Sequence, residues 1–287
     1  MTEKSDKLPS SGRKLFFGLF VFPLLIAIGM AVLLCSVVLL TTERETPESL
    51  ITAIKTGTPS KRWQKAFELS NELGQSREGL RAESVMREAM HILRDPSHYD
   101  PKTRGYMALA LSHFDNPEVV SALRAALGDE SEDVKIYALW GLGSLKAQQA
   151  AGDIRPFLKS ESEPLRQMAV YVLGVLGDKS SLPYIAPLLE DPSQDVRWNT
   201  ALGLARLGSP AGSAVLIKML DRESLSGGEI NLTEEQIEKI MINATKGLAL
   251  IPDPESIKIL RSVARGDKSL KVRQAAMDAL NTQKEKI

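Results

Sequence analysis

The sequence predicts an all-α chain: a right-handed α-solenoid of stacked helix pairs, preceded by a single transmembrane helix. Three observations predict it. Apolar segments recur at a spacing of 31 residues, a 26-residue run near the N-terminus carries no charge, and the chain is rich in Ala and Leu with only 5 % aromatic residues. Ala and Leu favour helix, whereas strands draw on β-branched and aromatic side chains.

The apolar run comes first in the chain. Leu15 to Leu40 is free of charge, and as a helix it would be about 39 Å long against a hydrocarbon layer of about 30 Å. Pro23 lies inside it, a residue that membrane helices tolerate. A cleaved signal peptide would have an apolar region of about 7–15 residues ending at a small-residue site. This run is longer, and Val37-Val38-Leu39-Leu40-Thr41-Thr42-Glu43-Arg44 offers no such site. Cys35 follows Leu33-Leu34, without the small residue that precedes a lipoprotein cysteine. The expectation is an uncleaved anchor. Arg13 and Lys14 abut its first end and Thr41-Thr42-Glu43-Arg44-Glu45 opens the other. The positive-inside tendency then gives a cytoplasmic tail over 1–14, a span over 15–40, a linker over 41–46 and a repeat domain over 47–287 on the extracytoplasmic side, periplasmic or extracellular. Lys55, Lys61 and Arg62 make that bias a modest one.

Charge narrows the partner classes. Lys plus Arg and Asp plus Glu number 36 each. Four basic and two acidic residues precede Glu43, which leaves 32 against 34, a formal charge of −2. A nucleic-acid binder carries a basic excess or patch, so nucleic acid is not expected as a partner. Cys35 is the sole cysteine, which removes intrachain disulfides and any CxxC site.

The repeats occupy the rest. VKIYALWGLGSLK from Val134, LRQMAVYVLGVLG from Leu165 and VRWNTALGLARLG from Val196 align without a gap, and Thr103 begins a fourth such segment. Further matches start at Ile240 and Val272, with a weaker one at Arg62. In each, small or apolar residues fall at offsets 0, 4, 5, 7, 8 and 11, one face of a helix. Second helical stretches separate them, including 118–129, 181–192 with its Pro183 and Pro187, and 255–267, with Gly and Pro at the joins. The unit reads as one helix, a turn and a second helix, giving about six or seven pairs that must stack to bury their apolar faces. In this reading 47–56 is the second helix of an incomplete first pair, the last pair lacks its second helix, and Asn281 onward is a frayed end.

The stretch Leu188-Leu189-Glu190-Asp191-Pro192 through Gly212 resembles the HEAT-like repeats first associated with phycocyanobilin lyases, whose pattern runs D-P-x-x-x-V-R-x-x-A-x-x-A-L-G-x-L-G. The resemblance covers about 47–287 and is sharpest over 103–212. It is specific for the fold and poor for function, since such repeats serve scaffolds, binding modules and a few enzymes. It implies that the basic residue after the first apolar position ties neighbouring repeats together. The matching positions are Arg104, Lys135, Arg166, Arg197 and Arg273, while Met241 interrupts the series. A basic ligand groove is the other meaning of such a series.

No catalytic residue, cofactor site or metal site emerges. His91, His98 and His113 are the only histidines, and none begins the His-Glu dipeptide that HEAT-repeat hydroxylases use to hold iron. P-loop and GxSxG motifs do not occur. The expected function is a membrane-anchored, non-catalytic scaffold or adaptor mediating protein–protein interaction. The enzyme-class alternative is a bilin lyase-like or chromophore-binding protein.

Two features depart from a plain repeat. Offset 6 should be polar, yet it is filled by Leu109, Trp140, Tyr171 and Leu202 before Lys246 and Asp278 take over. Ile136 and Trp198, at offset 2, lie on the same side. These six apolar residues form a candidate partner-binding stripe, unless the helices rotate to bury them. The second feature is an insertion of thirteen residues around 222–236. There Ser226-Gly227-Gly228 should be flexible, and Thr233 with Gln236 should restart a helix as a capping box. Loops on one face of a solenoid bind partners or are neutral additions.

Overall fold

The computed structural model describes residues 16–41, 46–75, 82–227, 231–251 and 254–284. It divides into two units, Met1–Thr46 and Pro47–Ile287.

The first unit is one helix. A π-turn at Phe17–Val21 leads into α1 (Phe22–Thr41). Pro23 has no N–H to return to the carbonyl four residues earlier. The ladder shifts register just before it, with the Phe22 amide donating to the Phe17 carbonyl, and the helix continues through the proline. Over Phe17–Ser36 it is long and apolar enough to cross a membrane, and none of that segment is buried.

The second unit is built from seven helix pairs among the described residues, and no strand occurs there. The second helices of the pairs are α3 (Pro59–Gln75), α5 (Pro101–Leu111), α7 (Glu132–Ser144), α9 (Glu163–Leu176), α11 (Gln194–Arg206), α14 (Glu234–Leu248) and α16 (Leu270–Lys284). Each packs on the element before it. The first three of those elements are α2 (Pro47–Thr56), α4 (Glu83–Leu93) and α6 (Pro117–Ala126). Three broken elements follow: 148–159 with α8 (Ala151–Ile154) at its centre, 179–190 with α10 (Leu182–Ile185), and 210–218 ending in α12 (Ser213–Lys218). The short helix α13 (Arg222–Ser226) comes next, and α15 (Pro254–Gly266) pairs with α16. Prolines explain much of the breakage. Pro156 and Pro187 each remove a ladder donor, and the chain tightens to 3₁₀ turns at Arg155–Lys159 and Ala186–Glu190.

This pairing corrects the frame expected from the sequence. The segment 47–56 packs on α3, its successor, so the first pair is complete. The last pair is complete too, and α16 continues as helix past Asn281 to Lys284. Gln283 is buried there and donates to the Leu248 and Ile251 carbonyls at 2.8 and 3.1 Å. The insertion holds α13 and the expected capping box. The Thr233 hydroxyl accepts from the Gln236 backbone amide at 3.3 Å, and the Gln236 side-chain Oε1 accepts from the Thr233 backbone amide at 2.8 Å. Gly228, expected to be flexible, lies outside the described residues.

Second helices touch their neighbours closely from α3 through α11, whereas the first helices α2, α4 and α6 meet one another sparsely. A stack whose layers differ in spacing bends toward the closer layer, which becomes the inside of its curve. The core is continuous in sequence but forms two clusters that hand over within α11. Val196 and Leu204 belong to the first cluster, Ala201 and Ala205 to the second.

A recurring acceptor organises the turns. Asp129, Asp191 and Asp267 each accept from the backbone amide two residues on, at 2.8, 2.9 and 2.8 Å, closing the turn before a second helix. The same carboxylates take an arginine from earlier in the chain. Arg166 is bidentate to Asp191 at 2.8 and 2.9 Å and also donates to the Ser160 and Glu161 carbonyls of its own turn. Arg104 pairs with Asp129, and Arg222 is bidentate to Asp267 at 3.0 and 2.8 Å. Arg197 and Arg273 keep only the own-turn half of the pattern, each donating at 2.6 Å, to the carbonyls of Asp191 and Asp267 respectively. Lys135 makes no such bond among the described residues, and Ser160 stands at the position that Asp191 holds in the next repeat. Arg62, absent from the sequence series, bridges the Gly57 and His98 carbonyls at 2.9 and 2.6 Å.

Two measurements follow from these turns. Lys146, Gly177 and Gly208 occupy equivalent positions 31 residues apart, and all are left-handed, with φ of 50°, 71° and 77°. Only lysine is strained by that geometry, so Lys146→Gly should stabilise the protein by about 1 kcal/mol in urea unfolding. The second concerns acid. The Arg166 guanidinium, bonded to Asp191, holds that carboxyl below the usual 3.8. Burial pushes Asp178 upward, but hydrogen bonds from Ser180, Ser181 and Arg155 outweigh it and leave its pKa at about 2. Both folded values lie below the unfolded one, so the stabilisation is complete above about pH 4 and is lost as pH falls toward 2. Unfolding followed by circular dichroism should show that decline, flattened in Arg155→Met and Arg166→Met.

Candidate partner-binding face

The second helices bury offsets 0, 4, 5, 7 and 8 against the stack, which turns offsets 2, 3 and 6 toward the inside of the curve. On α3 the matching residues are Trp63 and Phe67 once its Arg62 is aligned with the other arginines. On α5 they include Tyr106, and on α7 Tyr137 and Trp140. Tyr171 on α9 and Trp198 on α11 continue the series. Eleven aromatic residues lie beyond Pro47 and seven of them are on this face, including all three tryptophans.

Ring contacts join them across repeats. Phe67 meets Tyr106 edge-on at 5.4 Å, and Tyr106 meets Tyr137 at 5.5 Å. Trp140 stacks on Tyr171 at 5.8 Å with the planes 6° apart. Two cations add to the series: Lys102 sits 3.5 Å over the Trp63 ring, and Arg206 sits 5.1 Å from the centre of the Tyr171 ring. A glycine makes room for one contact. A Cβ on Gly105 would come within 2.7 Å of the Tyr137 ring, so only glycine lets that ring lie on the α5 backbone. Burial raises the Tyr137 pKa, with Tyr106 and the Asp133 carboxylate adding to it.

The six residues singled out by sequence are unequal here. Trp140 is exposed at 39 %, while Leu109, Ile136, Tyr171, Trp198 and Leu202 are half-buried. Ile136 and Tyr171 pack on the first core cluster, Trp198 and Leu202 on the second. The face is therefore a ledge of partly covered rings with Trp140 standing out. Sequence reasoning omitted Phe67, 44 % exposed, and Tyr106 and Tyr137. Aligning the α3 segment one residue earlier would have found the first. Offset 3 read across repeats would have found the others.

Among the described residues no group of three or more His, Cys, Asp or Glu is arranged to hold a metal. His91 is exposed, His98 binds the Asp95 carboxylate at 2.8 Å, and the His113 ring lies beside Gly74.

A face of this kind, on a continuous stack of helix pairs, defines the protein as an α-solenoid. A family model described as HEAT repeats matches residues 88–155 and 153–226 of the chain. No curated protein sequence matches it. Among solved structures, the complex of CpcE and CpcF of phycocyanin lyase from Nostoc sp. PCC7120 is similar over 85 % of this chain and 96 % of that one, at 19 % identity and a TM-score of 0.56. Human deoxyhypusine hydroxylase in complex with glycerol matches 83 % of this chain and 84 % of its own, at 17 % identity and a TM-score of 0.36. A designed armadillo repeat protein in complex with the peptide (KR)4 matches 83 % of this chain and 99 % of its own, at 16 % identity and a TM-score of 0.46. At these identities the likeness is one of fold.

The Gly105 contact gives a direct test of the ring series. Gly105→Ala should displace Tyr137 and cost about 1–3 kcal/mol in thermal unfolding, the usual range for overpacking.

Proposed function

We propose that the chain is a non-catalytic adaptor, tethered by its N-terminal helix and binding a protein partner through the aromatic face of its second helices. The observation that carries this reading is the parallel stack of exposed Trp140 on Tyr171, within a face that holds seven of the eleven aromatic residues beyond Pro47. Fixed aromatic rings provide contact area at little entropic cost, and Trp and Tyr are enriched among residues that dominate binding energy. The tether reading rests on the length and composition of Phe17–Ser36. With Arg13 and Lys14 at its first end, the N-terminus is assigned to the cytoplasm and the repeats to the far side.

The likeness to the phycocyanin lyase complex motivates a second reading, a bilin-handling protein. A linear tetrapyrrole added to the purified protein separates the two: a shift in its visible absorption favours the second.

Full-length protein purified in detergent, and its Trp140→Glu/Tyr171→Glu form, should be compared as baits on solubilised native membranes. A protein retained by the first and lost by the second, with equal circular dichroism, is the expected result. Retention of the same proteins by both would refute this face as the docking site. For the tether, the protein should stay in the membrane pellet after alkaline carbonate washing and keep its N-terminal residues. A mature chain beginning after Leu40 would show a cleaved signal instead.

A further inference from the structure

The last helix pair carries a second surface, unrelated to the aromatic face. A groove of about 410 Å³ runs between α15 and α16, floored by Ile257, Ala264, Met277 and Leu280. Met277 is 42 % exposed.

Its rim is basic. Arg261 and Arg265 border the trough, and Lys258 continues the row along the exposed side of α15, lining an adjoining hollow with them. The spacing of 258, 261 and 265 places all three on one side of the helix. Each is exposed, and none pairs with any described residue. This contrasts with the earlier repeats, where Arg104, Arg155 and Arg166 are all paired with aspartates.

Gln283 underlies the groove at 1 % exposure and anchors α16, its amide nitrogen donating to the Leu248 and Ile251 carbonyls.

We infer that this end groove receives an amphipathic helix with acidic flanks from another protein, seated beside α15 and α16 as a further repeat would be. Its apolar stripe covers Met277 and Leu280, and its carboxylates meet Lys258, Arg261 and Arg265. A second copy meeting this end symmetrically would set like cations against each other. A flat anionic bilayer would engage the cations and leave the trough empty.

The test uses full-length protein in detergent and a fluorescein-labelled helical peptide with Leu at heptad positions a and d, Glu at the flanking positions and Ala elsewhere. Anisotropy should show saturable binding, weaker by about tenfold or more when Lys replaces Glu, and similarly weakened by Arg261→Glu/Arg265→Glu or by Met277→Glu. Trp140→Glu should leave it unchanged, which separates this site from the aromatic face. Equal binding of the Lys peptide, indifference to these variants, or no binding at all would overturn the inference. So would a concentration-dependent dimer abolished by Arg261→Glu, which assigns the groove to a second copy. Sedimentation with phosphatidylserine vesicles in the absence of peptide binding would assign it to lipid and overturn it equally.

Discussion

The structure depends on one small arrangement, a carboxylate placed in the turn before a second helix. Asp191 shows it in full: its side chain closes its own turn through the Ser193 amide, accepts the Arg166 fork from the previous repeat, and its carbonyl accepts Arg197. Three structural levels meet at that residue. The turn sets where the next helix starts, the fork sets how far apart neighbouring repeats stand, and the carbonyl bond fixes the helix that follows. The pair is largely withdrawn from water, at 13 % and 6 % side-chain exposure. Such a pair pays a desolvation cost, and removing one partner is worse than never having had it. Its role is therefore register more than net stability.

That register decides what the rest of the chain can display. The Arg104–Asp129 tie holds α7 against α5, and across it Tyr106 meets Tyr137 at 5.5 Å. Where the carboxylate is missing the link changes. Ser160 takes the aspartate's place between α7 and α9, the Ser162 hydroxyl donates to the Glu132 carboxylate at 2.6 Å across those repeats, and Trp140 stacks on Tyr171. Past α11 the insertion intervenes, and Arg222 reaches 45 residues on to Asp267. The aromatic face ends at this interruption.

Much of the fold was legible in the sequence, because four segments spaced by 31 residues repeat both an apolar face and a basic residue. The frame of the pairs was not. Alternating helices of similar length give the same periodicity whichever way they are bracketed, and only contacts show that 47–56 packs forward on α3. The arginine series was read correctly for Arg104 and Arg166 as inter-repeat ties. It missed Arg62, whose segment had been aligned one residue late. The candidate face was half legible: offset 6 led to Trp140 and Tyr171, but its degree of exposure depends on how neighbouring helices cross. The end groove left no signature, since Gln283 and Met277 are ordinary residues until α16 ends the stack.

The two surfaces differ in physical kind. The aromatic face is mostly satisfied already: its rings pack on one another, cations lie over Trp63 and Tyr171, and only Trp140 and Phe67 are substantially exposed. Such a ledge can gain from a partner without losing much when free. The end groove is unsatisfied in two respects at once, with bare apolar floor and unpaired cations. Here the trough and its three unpaired cations lie on a helix pair that two hydrogen bonds from Gln283 tie to the preceding repeat. A bare apolar trough edged by unpaired cations is the surface that an amphipathic helix with acidic flanks complements.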